Sequence, residues 1–369
     1  MFNQVVQHAL AHSPRRPTCA PLHNAPVTIA AVILAAGASS RFGSPKGGAR
    51  IGSRTLVQIA VDTATAAGLS PVIVVAPSSV SVPETAITVR NDAPGAGMSR
   101  SLLLGIRAVP SDAEASTVML VDQPTVTVDH LRALDEWRGG TPVVATRSDG
   151  VLGPPVLLER DAFGLVDDLK GDRGLRDLLR SDPSVVTPVD HAAIPDIDSP
   201  DDLVRVTEAC PGCGARYLRQ GLDETHPYIG ASPACWATFG EVLAREFADP
   251  SFGRVHRHTV DVYAVQHPGG DDRRQRQSVA LHLIGICHWL EHDLPFERLN
   301  AVTQLLADGD RPWPWLTPPA SYSMTVVDLV AARDGAEHVR LVRRWAESSW
   351  AAWAEHQDVV RTWAEEALA

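Results

Sequence analysis

The chain has no apolar run near the roughly 20 residues that a helix needs to cross a bilayer. It also lacks the apolar stretch of a secretory signal. Its first 25 residues hold Arg15, Arg16, several prolines and several histidines, a composition that predicts a disordered extension over residues 1–26. Positive charge is in deficit: 33 Lys and Arg stand against 44 Asp and Glu, a net charge of −11. Nucleic-acid binding needs clustered cations, so that class is excluded, although one nucleotide in a locally basic pocket is not. Cysteine is scarce and odd in number: Cys19, Cys210, Cys213, Cys235 and Cys287. Without an export signal this excludes a disulfide framework and points to reduced thiols in the cytoplasm. There is no internal repeat. A Rossmann-type dinucleotide fingerprint is also missing, which argues against an oxidoreductase.

What is present is 369 residues, more than one hydrophobic core usually serves. From Val27 to about Leu203, short β-branched runs alternate with helical patterns. The runs Thr28–Leu34, Pro71–Ala76, Ser116–Val121 and Thr141–Thr146 read as strands, with helices such as Leu56–Ala67 and Ser99–Ala108 between them. Continuous apolar strands are buried on both faces, and alternation with helices implies parallel pairing. The expected fold is a three-layer α/β/α sandwich over residues 27–205, followed by a mainly α-helical domain over residues 208–369. In that second part Ser232-Pro233 is a cap pair opening a helix with Trp236, Phe239, Leu243 and Phe247 on its apolar side. Gln277–Trp289 reads as a central helix. Val339, Val342, Ala346, Trp350, Trp353, Val360 and Trp363 recur at helical steps and read as packing. Arg311–Pro319 reads as a loop.

The first strand runs into Leu34-Ala35-Ala36-Gly37, then Ser39, Arg41 and Lys46. Small residues let a backbone approach an anion, and a loop at the C-terminal edge of a strand lies where open α/β sheets bind ligands. Arg41 can clamp phosphate oxygens with its planar fork, and Lys46 can act as a point cation; both are expected to face solvent before a nucleotide binds. Further on, Ser99 or Ser101 can cap a helix facing an anion. Asp122 ends an apolar strand, where a carboxylate is costly unless paired or bound to metal.

This stretch resembles the L-A-A-G-x-S-x-R-x-G-x-x-K signature of the MobA-like NTP transferases, whose loop holds the nucleoside triphosphate. The Ala35-Ala36-Gly37 form resembles the molybdenum cofactor cytidylyltransferase branch (MocA-like). The resemblance covers about residues 27–205. It implies that Leu34, Ala35, Ala36, Gly37, Ser39, Arg41 and Lys46, with Gly97, Ser99 and Ser101, bind the nucleotide. It implies Asp122 of Asp122-Gln123-Pro124 as a Mg²⁺ ligand and Asp198 of Asp196-Ile197-Asp198 as a second one. Gly153-Pro154-Pro155 resembles the acceptor-side element, and Gly171-Asp172-Arg173-Gly174 a further family segment. The implied reaction is CTP:molybdopterin cytidylyl transfer with pyrophosphate release, with Arg41, Lys46 and Asp122 as its catalytic residues and a molybdoenzyme or chaperone as partner. One departure is Gly47-Gly48 after Lys46, where the family continues with apolar residues. On that departure rests an alternative: a non-catalytic nucleotide-binding regulatory protein with the C-terminal module as effector.

Cys210-Pro211-Gly212-Cys213 has metal-knuckle spacing. A structural Zn²⁺ could draw further ligands from Cys235, His226, His256, His258 and His267, with Cys235 and His267 foremost. The competing reading is a reduced pair without metal, and a third puts the metal at His282, His288 or His292. Asp261, Gln266 and His267 are placed at the end of a helix. With Tyr263-Ala264-Val265-Gln266-His267-Pro268, the cysteine motif resembles an uncharacterised bacterial domain of unknown function.

Overall fold

The computed structural model describes residues 28–37, 42, 45–93, 95, 97–171, 174–219, 228–292, 294–309 and 311–368. The expected extension over 1–26, Ser39, Arg41, Asp172, Arg173 and His226 lie outside the described residues.

The sheet half begins with β1 (Ile29–Leu34), then a small hairpin of β2 (Arg50–Ile51) and β3 (Arg54–Thr55), then α1 (Leu56–Ala66). It continues through β4 (Val72–Ala76), β5 (Ile87–Arg90), α2 (Met98–Arg107), β6 (Ala115–Leu120) and α3 (Val128–Glu136). It ends with β7 (Val143–Ser148), β8 (Val151–Glu159), α4 (Leu175–Ser181), β9 (Val186–Asp190) and α5 (Pro200–Val206). Seven strands form one sheet in the order β5-β4-β1-β6-β8-β7-β9.

Every residue of β1 is buried. Ile29, Ala31 and Ile33 enter a core that includes Leu56 and Val61 of α1 and Leu131 and Leu134 of α3. Ala30, Val32 and Leu34 enter the opposite core with Leu102 and Ile106 of α2 and Leu175 and Leu179 of α4. Alternate side chains of a strand point to opposite faces, so burial of both sets requires helices on both sides. This is the expected three-layer sandwich. The all-parallel expectation needs one correction: β8 runs antiparallel to both β6 and β7. The β7–β8 connection is only two residues, Asp149 and Gly150, both at positive φ. Such a tight turn can only join antiparallel neighbours.

The helical half opens with an antiparallel pair absent from the sequence reading, β10 (Thr207–Ala209) and β11 (Arg216–Leu218). Then come α6 (Pro233–Ala248), α7 (Pro250–Gly253), α8 (His256–Gln266), α9 (Arg273–Glu291), α10 (Phe296–Asp308), α11 (Gly335–Ala352) and α12 (Gln357–Glu366). The central helix α9 packs against α8, α10, α11 and α12. The stripe is core, as expected, but it spans two helices: Val342, Ala346 and Trp350 sit on α11 and Val360 and Trp363 on α12, with Trp353 at the break. The halves meet at the β2–β3 hairpin, where Arg54 lies 3.6 Å from Glu241 of α6 and one backbone contact is a close fit. Gly52, in the turn between β2 and β3, donates its N–H to the Arg216 carbonyl at 2.7 Å. Its φ is +57°, and a Cβ there would come within 2.9 Å of the Tyr217 ring. Among the described residues no helix is long and apolar enough to cross a membrane.

Candidate functional site

The phosphate-loop candidates begin where β1 ends. Leu34, Ala35 and Ala36 are buried and Gly37 is exposed. Ala35 donates its N–H to Val75 of β4 at 2.8 Å, and Leu34 accepts from Val121 N, just after β6, at 3.2 Å. These bonds fix the loop at the C-terminal edge of the sheet beside Asp122, where a ligand of an open α/β sheet is expected.

Lys46 starts a tight 3₁₀ turn over Lys46–Gly48. Gly47 is needed there: a Cβ would stand 2.9 Å from Val57 and 3.2 Å from Val80. Gly47 is therefore packed within this turn, whereas Gly48 is exposed with nothing near its Cβ position. The expectation that Lys46 faces solvent is corrected, since its side chain is only 14% exposed. Its Nζ donates to Asp122 Oδ2 at 3.1 Å and to Asp198 Oδ1 at 2.6 Å. Burial would lower its pKa, but the Asp198 and Asp122 carboxylates outweigh that and raise it. Burial holds the Asp122 carboxyl above its ordinary range, Lys46 opposes this, and the nearby Asp196 charge adds to the rise.

One backbone and one side-chain hydrogen bond bring Asp198 to Asp122. Ile197 N–H donates to the Asp122 carbonyl at 2.8 Å, and Gln123 Nε2 reaches Asp196 Oδ1 at 2.9 Å. Asp202 then accepts from Asp198 N, Ser199 N and Ser199 Oγ, a capping box that ties the Asp198 backbone to α5. The Gln123–Asp196 bond and the Arg176–Asp196 pair at 3.3 Å were not singled out in the sequence; the D-I-D run was the only signal for Asp196.

The α2 expectation needs correcting. Its N-cap is Gly97 at φ +88°, and Ser99 and Ser101 lie inside the first turn. Ser99 gives both its N–H and its hydroxyl to the Gly171 carbonyl, at 3.1 and 2.8 Å. Ser101 Oγ accepts from Asn91 Nδ2 at 2.9 Å. Neither serine is therefore the N-cap of α2. Pro155 of the acceptor-side element lies on β8, where its carbonyl accepts from Thr146 Oγ1, which also meets His130 Nε2 at 2.8 Å.

In the helical half the structure brings together Cys210, Cys213, Cys235 and His267, whose ligand atoms all lie within 4.8 Å of one another and are all buried. His256 and His258 do not join them. His256 pairs with the buried Glu246 at 2.8 Å, and His258 stacks on Trp289. His282 pairs with the buried Asp261 at 2.7 Å. Asp261 is in the middle of α8 rather than at its end, and Arg257 also holds it. Glu246, which also meets Thr259 and His338, was missed because one acid within an apolar helix pattern gives no signal. His288 is core; His292 is near Cys287 and Glu291 in a second, half-exposed cluster.

Residues 31–187 match the MobA-like NTP transferase domain, and residues 208–354 match a family of unknown function, DUF5946. The purine catabolism protein PucB of Bacillus subtilis (strain 168) is 31% identical over 195 residues, which cover 47% of this chain and 94% of PucB. The chain belongs to the MobA-like NTP transferase family. Among solved structures, Rv0371c from Mycobacterium tuberculosis H37Rv is 27% identical, with a TM-score of 0.44, covering 48% of this chain and 96% of that one. A nucleotidyl transferase from Methanothermobacter is 24% identical, with a TM-score of 0.43, covering 48% of this chain and 95% of that one. The MobA-like match falls on the seven-stranded sheet and its loop, and the DUF5946 match on the half that holds the Cys/His cluster.

Proposed function

We propose that residues 27–205 form a Mg²⁺-dependent nucleotidyltransferase of the molybdenum cofactor cytidylyltransferase type, joined to a separate domain over residues 208–369. The observation that carries this reading is Lys46 held between the Asp122 and Asp198 carboxylates at the edge of the phosphate loop. Two carboxylates converging on one cationic atom fit a hard divalent cation, which prefers oxygen ligands. Asp122, pushed toward its neutral form by burial, gains most from such a charge. Asp122 and Asp198 would hold Mg²⁺, which would supply charge neutralisation on the triphosphate.

The chain's own residues do the rest. Ala35, Ala36 and Gly37 bring the backbone close to the phosphates. Arg41 and Lys46 neutralise the triphosphate and the leaving pyrophosphate. The acceptor phosphate attacks the α-phosphorus of CTP, the bond to the β-phosphate oxygen breaks, and pyrophosphate leaves. That acceptor is already ionised near neutral pH, so positioning matters more than a general base. The Ala35-Ala36-Gly37 sequence favours CTP, and by the family resemblance the acceptor is a molybdopterin phosphate. On this reading the protein works in the cytoplasm and hands its product to a molybdoenzyme or its chaperone.

The test is turnover of CTP, GTP and ATP with Mg²⁺ and molybdopterin, read as pyrophosphate release. CTP should be used at least ten-fold better than GTP. Preference for GTP would overturn the cytidylyl assignment, and no release with any of the three would overturn catalysis.

A further inference from the structure

We propose that Cys210, Cys213, Cys235 and His267 bind one tetrahedral Zn²⁺ that pins the β10–β11 turn to the helical core. The site stands apart from the proposed nucleotidyl transfer and uses none of its residues. Its geometry carries the argument. Zinc–sulfur bonds of about 2.3 Å and zinc–nitrogen bonds of about 2.0–2.1 Å at tetrahedral angles place two sulfurs about 3.8 Å apart and sulfur and nitrogen about 3.5 Å apart. Cys213 Sγ lies 3.8 Å from Cys235 Sγ, and Cys235 Sγ lies 3.3 Å from His267 Nε2. A disulfide would need about 2.05 Å, and these cysteines are free thiols.

The surroundings are those of a ligand set. His267 Nδ1 donates to the Tyr263 carbonyl at 2.7 Å, which fixes the ring with Nε2 turned toward the sulfurs, and in the neutral ring Nε2 is then the nitrogen open to a metal. Ser232 N–H donates to Cys210 Sγ at 3.3 Å, and the Tyr263 hydroxyl donates to Cys235 Sγ at 3.7 Å, as suits anionic sulfur. Cys235 is in the first turn of α6, where the helix dipole favours a thiolate. Gly212 passes so close that a Cβ would stand 2.6 Å from the Gln266 carbonyl and 2.6 Å from the His267 ring. All four ligands are buried, at 3% exposure or less. Three thiolates packed together out of water without a shared cation would be costly. Mixed thiolate and imidazole ligands in tetrahedral array select zinc over the oxygen-preferring cations.

The experiment uses the full chain. Elemental analysis of protein purified without chelator should give about one zinc per chain. Co²⁺ exchanged into the protein should show intense thiolate-to-cobalt charge transfer and tetrahedral d–d bands. Co²⁺ held by Asp122 and Asp198 would show neither, so D122N should leave both signals intact. Cys235→Ser should abolish or shift the cobalt spectrum, while Cys287→Ser should not. In case Cys235→Ser fails to fold, a mercurial titration of the wild type should release the zinc as thiols react. Metal-free protein without cobalt charge transfer would overturn the proposal. So would a signal that survives C235S but is lost in C287S, or a Cys213–Cys235 disulfide in the purified chain.

Discussion

Replacing Lys46 with methionine keeps the length of the side chain and removes its charge. In the structure that charge makes two hydrogen bonds to carboxylates, at 3.1 and 2.6 Å. Bonds to charged groups contribute about 1.5–3 kcal/mol each when shielded. Here the Asp198 side chain is 44% exposed, so solvent screening cuts the pair to about 2 kcal/mol in total. For a cooperative unit of this size, that lowers the melting temperature by about 4–8 °C. The loss should depend on the cation. In wild type, Mg²⁺ must displace Lys46 from the carboxylates, whereas in K46M the carboxylates face each other with that counter-charge gone. Mg²⁺ at about 100 times its dissociation constant stabilises by about 2.7 kcal/mol, enough to restore the variant. Thermal melts of both proteins with and without Mg²⁺ should therefore show a larger magnesium-induced rise in K46M than in wild type. A variant that melts with wild type and ignores Mg²⁺ would refute the idea that Lys46 occupies the place of a cation.

Asp122→Asn should reduce nucleotidyl transfer by about 100-fold or more, measured as pyrophosphate release, while near-wild-type turnover would remove Asp122 from the metal site. His130 is pushed down to about 4, first by burial and then by the His191 ring beside it. Its neutral form is favoured in the fold, so its contribution is complete above its unfolded value near 6.5 and is lost as pH falls toward 4. Between about pH 7.5 and pH 5 the chain should lose about 2 kcal/mol through this group; urea midpoints at the two pH values should show it, and H130Q should flatten the slope. Gly105 packs α2 on the sheet, where a Cβ would collide with Val32 Cγ1 and stand 3.1 Å from Val75 Cγ2. Gly105→Ala should therefore destabilise by about 1–2 kcal/mol in urea titration despite its better helix propensity.

The parts legible in the sequence were those in which neighbouring residues do the work. An apolar strand followed by a small-residue loop and a lysine is one contiguous signal, so β1, its loop and Lys46 could be read directly. Asp122 and Asp198 could each be named, but their convergence on Lys46 joins residues 76 and 152 positions away, and no local pattern encodes it. β8 escaped because its Gly153-Pro154-Pro155 stretch reads as a loop, whereas it is the reversed strand of the sheet. β10 and β11 are three residues each, too short for period-two alternation to register. The serines of α2 were read as caps because cap preference is local; the Gly171 carbonyl that engages Ser99 is distant in sequence.

The fit of Gly52 against Tyr217 makes the two halves poor candidates for transplantation. A chain cut after α5 would leave the Gly52 amide without the Arg216 carbonyl and the Ile51 side chain wet on one side. The hairpin that bears this contact starts two residues after the Lys46 turn ends. Any chimera that borrows the nucleotide loop must therefore carry the first strands of the neighbouring half with it, as a lock is moved together with its strike plate.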